Sequence, residues 1–565
     1  MRHKRPPLPR TLGPLAAVVT IATITSVPAS AVTFRVGDIE GQFDSSLTIG
    51  ASWALRNSDP DLLHDPASDD GRRNFKKGET FSKVFKGIHD LELKYTDSGV
   101  FLRGKYWYDF ELKDESRLFK DIDDHNRKTG AQSSGIELLD AFIYHNYQIG
   151  QLPGTARFGK QVVSWGESTF IQGGINTVNP VDASALRRPG SEVKEGLIPV
   201  NMIYLSQSLT ETVSLEGFYQ LEWDQTVIEN CGTFFAPNDV IADGCSVLET
   251  PLGVTLARAG DRDARDTGQW GAALRWFSPE LDSEFAAYYV HYHSRQPYFS
   301  TIGAVAIGDL RSAKYFAEYP EDVRLYGLSF ATTLPTGTAL SGEVSYRPNM
   351  PVQISPLDLV TAASGIVPFS PLLNSGAVQF DTAADIKGYR RKEVTQAQLT
   401  ATHFFDQVMG ADRLTMVGEV GVVHVGGLEG RDGLRYGRAT AFGQGELTPD
   451  NSLCTNVLNA ATPSNCNNEG FVSSTSWGYR IRATWEYNNV IAGVQLRPNL
   501  TWSHDVSGYA YEPGFNEGSK AVSLGLDASF LQTYSANLSY TDYFGGDYNT
   551  YGDRDFVALS IGVSF

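Results

Sequence analysis

The sequence is poor in what most proteins of its length use. After residue 31 no window holds 18 uninterrupted apolar residues, and mean hydropathy is -0.23, which excludes helical membrane spans from that part of the chain. Among 565 residues there are only 5 Met and 4 Cys, and Asp and Glu outnumber Lys and Arg by 65 to 47. A formal net charge of -18 argues against nucleic acid as a partner. No GxSxG, HExxH, P-loop or GxGxxG stands in a context that gives it chemistry. Enzymatic activity is therefore not expected, and no cofactor is implied.

Glycine (55), Phe (30), Tyr (26) and Trp (9) are plentiful instead, a composition that suits strands and tight turns. The first residues are separate. Arg2, Lys4, Arg5 and Arg10 precede the apolar run "LAAVVTIATITSV" (15–27), and Ala29-Ser30-Ala31 offers small residues for cleavage. This pattern predicts a secretory signal peptide over 1–31. Its removal takes four positive charges and leaves a formal net charge of -22.

With export predicted, the cysteines read as disulfides. Cys231 and Cys245 form one local pair, Cys454 and Cys466 another, and neither has the CxxC spacing of a zinc site. Two loop-closing cross-links, Cys231–Cys245 and Cys454–Cys466, are expected.

Period-two alternation recurs along the whole of 32–565. It is clearest over 43–55, 100–112, 213–223, 477–487, 494–502 and 522–530, and weaker over eleven further runs; with 556–565 the number is about eighteen (16–18). Each run approaches the ~9–11 residues that cross a bilayer at a tilt. Between runs, short turns such as "DSG" (97–99), "FSPELD" (277–282) and "LPTG" (334–337) alternate with long polar, glycine-rich stretches. A sandwich or propeller has no reason for that alternation. A transmembrane barrel does, because its periplasmic turns are short and its extracellular loops long.

The two faces of each run agree. Over 100–112, Leu102, Tyr106, Tyr108 and Phe110 alternate with Arg103, Lys105, Trp107, Asp109 and Glu111; over 477–487, Trp477, Tyr479 and Ile481 alternate with Arg480, Arg482 and Glu486. One face suits lipid and the other a wet lumen. The expectation is one all-β antiparallel barrel, resident in the outer membrane of a Gram-negative bacterium and in contact with outer-membrane lipid and lipopolysaccharide. The last strand, "FVALSIGVSF", must pair with the first to abolish the sheet edges. Its terminal Phe565 also resembles the signal by which the barrel assembly machinery recognises outer-membrane proteins.

Several candidates for function follow, each with a plainer reading beside it. The loop 165–199 carries Gly173-Gly174, Asn179-Pro180 and the pair Arg187-Arg188. It either folds into the lumen and narrows it, or lies outside with its arginines paired to Glu192 or Glu195. The segment 350–380 is too apolar for a solvated loop: Leu357, Leu359, Val360, Ile366, Val367, Phe369, Leu372 and Leu373 form either a hydrophobic gate for an apolar solute or a self-packed lid. Arg103, Lys105, Arg275, Arg347, Arg480, Arg482 and Arg497 form either an anion-selecting ladder or structural pairs with acids such as Glu343, Glu486 and Asp527. Five aspartates within 59–71 read as a solvated acidic loop sooner than a Ca²⁺ site. His403, His424 and His504 have no nominated serine, so a hydrolase ranks last.

The stretches "IEGQFDSSLTIGASWALRN" (39–57), "LRGKYWYDFELKD" (102–114) and above all "RFGKQVVSWGESTFIQGGINTVNPVDASALRRPGSE" (157–192) resemble a proteobacterial outer-membrane family known only as a domain of unknown function, found in Pseudomonas and its relatives. The resemblance implies a barrel concerned with hydrophobic compounds or lipids. It also implies a lipoprotein-sorting-like periplasmic partner. It supplies no catalytic or ligand residues. The function expected is passive passage of small solutes, apolar or amphipathic ones preferred on account of 350–380. The alternatives are a closed barrel with a structural or envelope-assembly role and, third, an outer-membrane hydrolase.

Overall fold

The computed structural model describes residues 32–236, 238–511 and 514–565; the signal peptide expected at 1–31 lies outside them. From Ile39–Ala54 onward, eighteen strands follow one another, each antiparallel to its neighbours in the chain. The last, Phe556–Ser564, pairs with the first from Ser46↔Ser564 to Ala54↔Phe556, so the sheet closes on itself. This is the all-β transmembrane barrel that alternation predicts.

Alternation sets the two surfaces. Ile49, Ile143, Leu274, Leu328, Leu538 and Ile561 are exposed on the outside of the ring, while their chain neighbours point inward. Backbone polar groups are spent in the ring itself, which is what lets such a surface meet lipid. Eight short connections at one end, among them Thr96-Asp97 and Gly150-Gln151, contrast with nine longer ones at the other. Gly150 takes φ +67 at its turn, a conformation that costs glycine nothing.

Some boundaries differ from the sequence expectation, for local reasons. The strand predicted over 100–112 runs instead from Ser98–Asp109, because the Asp109 carboxylate accepts from the N–H groups of Glu111 (3.0 Å) and Leu112 (3.2 Å) and starts a helix over Phe110–Asp114. The strand Thr80–Tyr95 begins ahead of the alternation seen over 88–96, within the stretch 57–87 that reads as a long loop.

Two features lie outside the ring. Val32–Val36 forms a hairpin with the first strand, Val32 opposite Phe43, on the edge that the last strand uses higher up; there Phe565 exchanges backbone hydrogen bonds with Ser45. At the long-loop end, five short strands make a second sheet in the order Asp385–Ile386, Tyr298–Ile302, Lys314–Glu318, Thr255–Arg258, Val247–Glu249. With the helix Pro356–Ala363 it encloses Leu248, Leu256, Phe299, Tyr315 and Ile386 in an apolar core. Both disulfides expected from the cysteine spacing, Cys231–Cys245 and Cys454–Cys466, are formed in these long connections.

Candidate functional site: the lumen

The connection between the strands Leu152–Gln161 and Val200–Ser208 is threaded among inward-facing side chains of the wall. On one side two wall carboxylates hold its backbone. Glu343 accepts from the N–H groups of Glu167 (2.5 Å), Ser168 (3.2 Å) and Ile175 (2.8 Å), and Glu419 from those of Thr169 (3.0 Å), Phe170 (2.6 Å) and Ile171 (2.7 Å). Both carboxylates are buried. Such a charge is tolerable only when its oxygens are fully engaged, and hydrogen bonds to it are the strong kind. Glycine makes the approach possible: a Cβ on Gly174 would stand 1.9 Å from a Glu343 oxygen. Arg347, buried and without a carboxylate partner among the described residues, donates to the Gly174 carbonyl (2.5 Å), Tyr292 Oη (3.0 Å) and Ser345 Oγ (3.2 Å).

The far end of the same segment is held across the ring. Asp182 caps the short helix Ala183–Arg187 and accepts from Lys105 Nζ at 2.8 Å. Lys86 donates to the Gly190 carbonyl (2.8 Å) and to Glu195 (2.5 Å). Lys86 stands on the second strand of the ring and Glu343 on the eleventh, so the anchors face each other across the lumen. Trp165, also buried, donates to Glu216 (2.8 Å) and packs on Phe218 and Tyr288.

The basic residues singled out by sequence do not form one ladder. Arg103 pairs with Asp90 and Asp140, Lys105 with Asp182 and Glu137, and Arg275 with Glu216 and Glu284. Arg187 meets Glu229 at 3.5 Å and lies over Phe235; Arg188 lies over Trp107 and donates to the Gly130 carbonyl. Arg480 pairs with Asp505 at 2.6 Å, and Arg497, 51% exposed, stands 3.9 Å from Glu486. Arg482, between them in space, has no hydrogen-bond or ion-pair partner among the described residues.

The sequence suggests that Glu343 neutralises arginines; in the structure its partners are mostly peptide N–H groups. Glu419 is not among the residues that the sequence singles out, although its signal is there: a lone acid at an inward position of the otherwise apolar run "LTMVGEVGVVHV".

The apolar segment 350–380 lies in the second core. Leu359, Val360 and Leu372 are buried there, while Leu357, Ile366 and Phe369 are half-buried and Val367 is exposed. The Asp358 carboxylate, buried beneath the helix Pro356–Ala363, pairs with buried Arg435 at 2.6 Å. In the acidic stretch, the carboxylates of Asp69 and Asp70 converge with that of Asp239, but Arg73 and Lys120 already pair with the first two. His403 and His424 meet threonine hydroxyls, Thr338 and Thr475, and no serine.

The wall divides into two sectors. On the strands Ser283–Tyr292 through Arg413–Val425, inward side chains such as Tyr288, Leu325, Ser345, Gln396 and Glu419 are buried under the threaded segment. On the strands Thr475–Glu486 through Tyr534–Phe544, inward side chains such as Arg482, Asn499, Thr501, Ser523, Asn537 and Thr541 remain half-exposed. The accessible side of the lumen is polar and rich in hydroxyls.

A closed ring with an inward-threaded connection places the protein among porin-like transmembrane barrels. It belongs to a family described as "Protein of unknown function (DUF1302)", whose profile matches residues 12–565. No curated protein matches the chain. Among solved structures it is similar to the outer membrane channel DcaP of Acinetobacter baumannii, at 10% identity and a TM-score of 0.35, over 94% of this chain and 99% of that one. OccAB1 of the same organism gives 10% and 0.40 over 96% and 99%, and OccD3 (OpdP) of Pseudomonas aeruginosa 10% and 0.39 over 95% and 93%. Likeness this distant carries no weight; the ring closure stands on its own strand registers.

Proposed function

We propose that the protein is a passive outer-membrane channel for small solutes, with the segment 162–199 as its constricting element. The observation that carries this reading is the contrast between the wall sectors: side chains are buried where the segment lies against the ring and water-accessible, polar and small where it does not. An eighteen-stranded ring is wide enough for water, and the segment leaves one side of it uncovered. Wall hydroxyls and amides favour polar solutes. The preference for apolar ones has less support, because Leu359, Val360 and Leu372, three of the residues that suggest it, are used in the core of the second sheet.

The test is conductance in planar bilayers. The purified barrel should give discrete conductance steps. With Thr501→Cys, a charged thiol reagent added to the open channel should cut them, since all four native cysteines are held in disulfides. A silent barrel would favour the closed, envelope-assembly alternative. Conductance indifferent to a blocked Thr501→Cys would place the path elsewhere.

A further inference from the structure

At the level of Arg482 the open wall carries a row of inward side chains fixed by strand register: Arg482 opposite Thr501, Thr501 opposite Ser523, Ser523 opposite Thr541. Three of these are hydroxyls, and Thr541 Oγ1 donates to Ser523 Oγ at 3.0 Å. Arg482 is the sole charge in the row. One inward step toward the long loops, Arg480 is satisfied by Asp505 at 2.6 Å. Two steps the other way, Arg497 faces Glu486 at 3.9 Å. Asp527 stands opposite Arg497, and its two oxygens are taken by the amides of Asn499 and Asn537. The charges above and below the row thus each face an opposite charge or an amide, whereas the guanidinium within it has no such partner among the described residues.

An arginine in a water-filled lumen with all its donors free is a bidentate receiver for a planar oxyanion. Arg482 has no hydrogen-bond, ion-pair or aromatic-ring partner among the described residues.

We propose that Arg482, with the hydroxyls of Thr501, Ser523 and Thr541, is the selectivity site of the channel. It receives small organic anions through a carboxylate. The assignment rests on the reading of the protein as a channel. The guanidinium supplies two parallel N–H donors to the carboxylate, and the neighbouring hydroxyls replace part of the hydration shell that the solute leaves behind. Because the row holds a single cation, binding is weak and release fast, as passage demands.

The experiment compares the wild type with Arg482→Gln, Arg482→Lys and Arg482→Glu in planar bilayers, each variant first shown to fold by its unchanged shift between boiled and unboiled gel samples. In a potassium chloride gradient the wild-type reversal potential should lie on the anion side. It should move toward zero in R482Q and change sign in R482E. With succinate as probe, block of the chloride current should weaken about tenfold in R482K, which keeps the charge and loses the fork, a change equal to ~1.4 kcal/mol. Channels that conduct with the same reversal potential in all four proteins would overturn the assignment while leaving the channel intact. A wild-type protein that never conducts would overturn both. Loss of charge selectivity in R482Q with identical succinate block in wild type and R482K would overturn the carboxylate assignment.

Discussion

Single side chains decide how the lumen is occupied. Glu343 and Glu419 each hold three peptide N–H groups of the threaded segment, a use of charge that burial makes strong and that leaves no role for a neutral substitute. Glu343→Gln should weaken the hold on 166–175 by about 2–4 kcal/mol and convert steady conductance into noisy switching between levels in single-channel records. Gly174→Ala should do the same by pushing the carboxylate away, as its Cβ position requires. In the long loops, Asp239 is pushed up to about 7, first by burial and then by the charge of Asp70. Its folded pKa thus exceeds the unfolded value near 3.9. Between those values the folded loop keeps a proton that the unfolded one has lost, so stability rises as pH falls from 8 toward 5. Hydrogen exchange of residues 230–245, corrected for the intrinsic rate, should slow on that acidification, by an effect of about 1–3 kcal/mol, and Asp239→Asn should abolish the dependence.

Among elements, the inward connection and the apolar helix carry opposite duties. Replacing 182–196 with a short flexible linker removes the half of the segment held by Lys86 and Lys105, and should raise single-channel conductance about twofold or more, given the width of an eighteen-stranded ring. Leu359→Ala should instead cost ~2–5 kcal/mol in the second core and leave conductance unchanged; a change in solute preference would restore the gate reading of 350–380. The strands were legible because alternation is written into each of them, as in Trp477, Tyr479 and Ile481 against Arg480, Arg482 and Glu486. The two to five residue strands of the second sheet were not. Pieces such as Asp385–Ile386 are too short to show a period, and they owe their conformation to neighbours distant in sequence. The partners of the lumen arginines were hidden for the same reason: which acid faces Lys105 depends on where residue 182 is carried by a connection that has no period at all.

At the scale of the molecule, closure holds everything else in place. The second sheet, the threaded segment and the wall sectors all assume a ring without edges. The intact protein should migrate differently on gels before and after boiling, and removal of the strand Phe556–Ser564 should abolish the difference. The pairing of Ile39–Ala54 with Phe556–Ser564 is also the most distant in sequence that the fold contains, and it carries a kinetic consequence. Every other wall pairing joins neighbours in the chain and costs little entropy to form, whereas this one must gather two ends separated by the whole ring. The barrel therefore cannot nucleate at its seam. It must zip together as consecutive hairpins and lock last where Phe565 meets Ser45, which makes that short stretch of backbone the latch on which the lifetime of the open sheet depends.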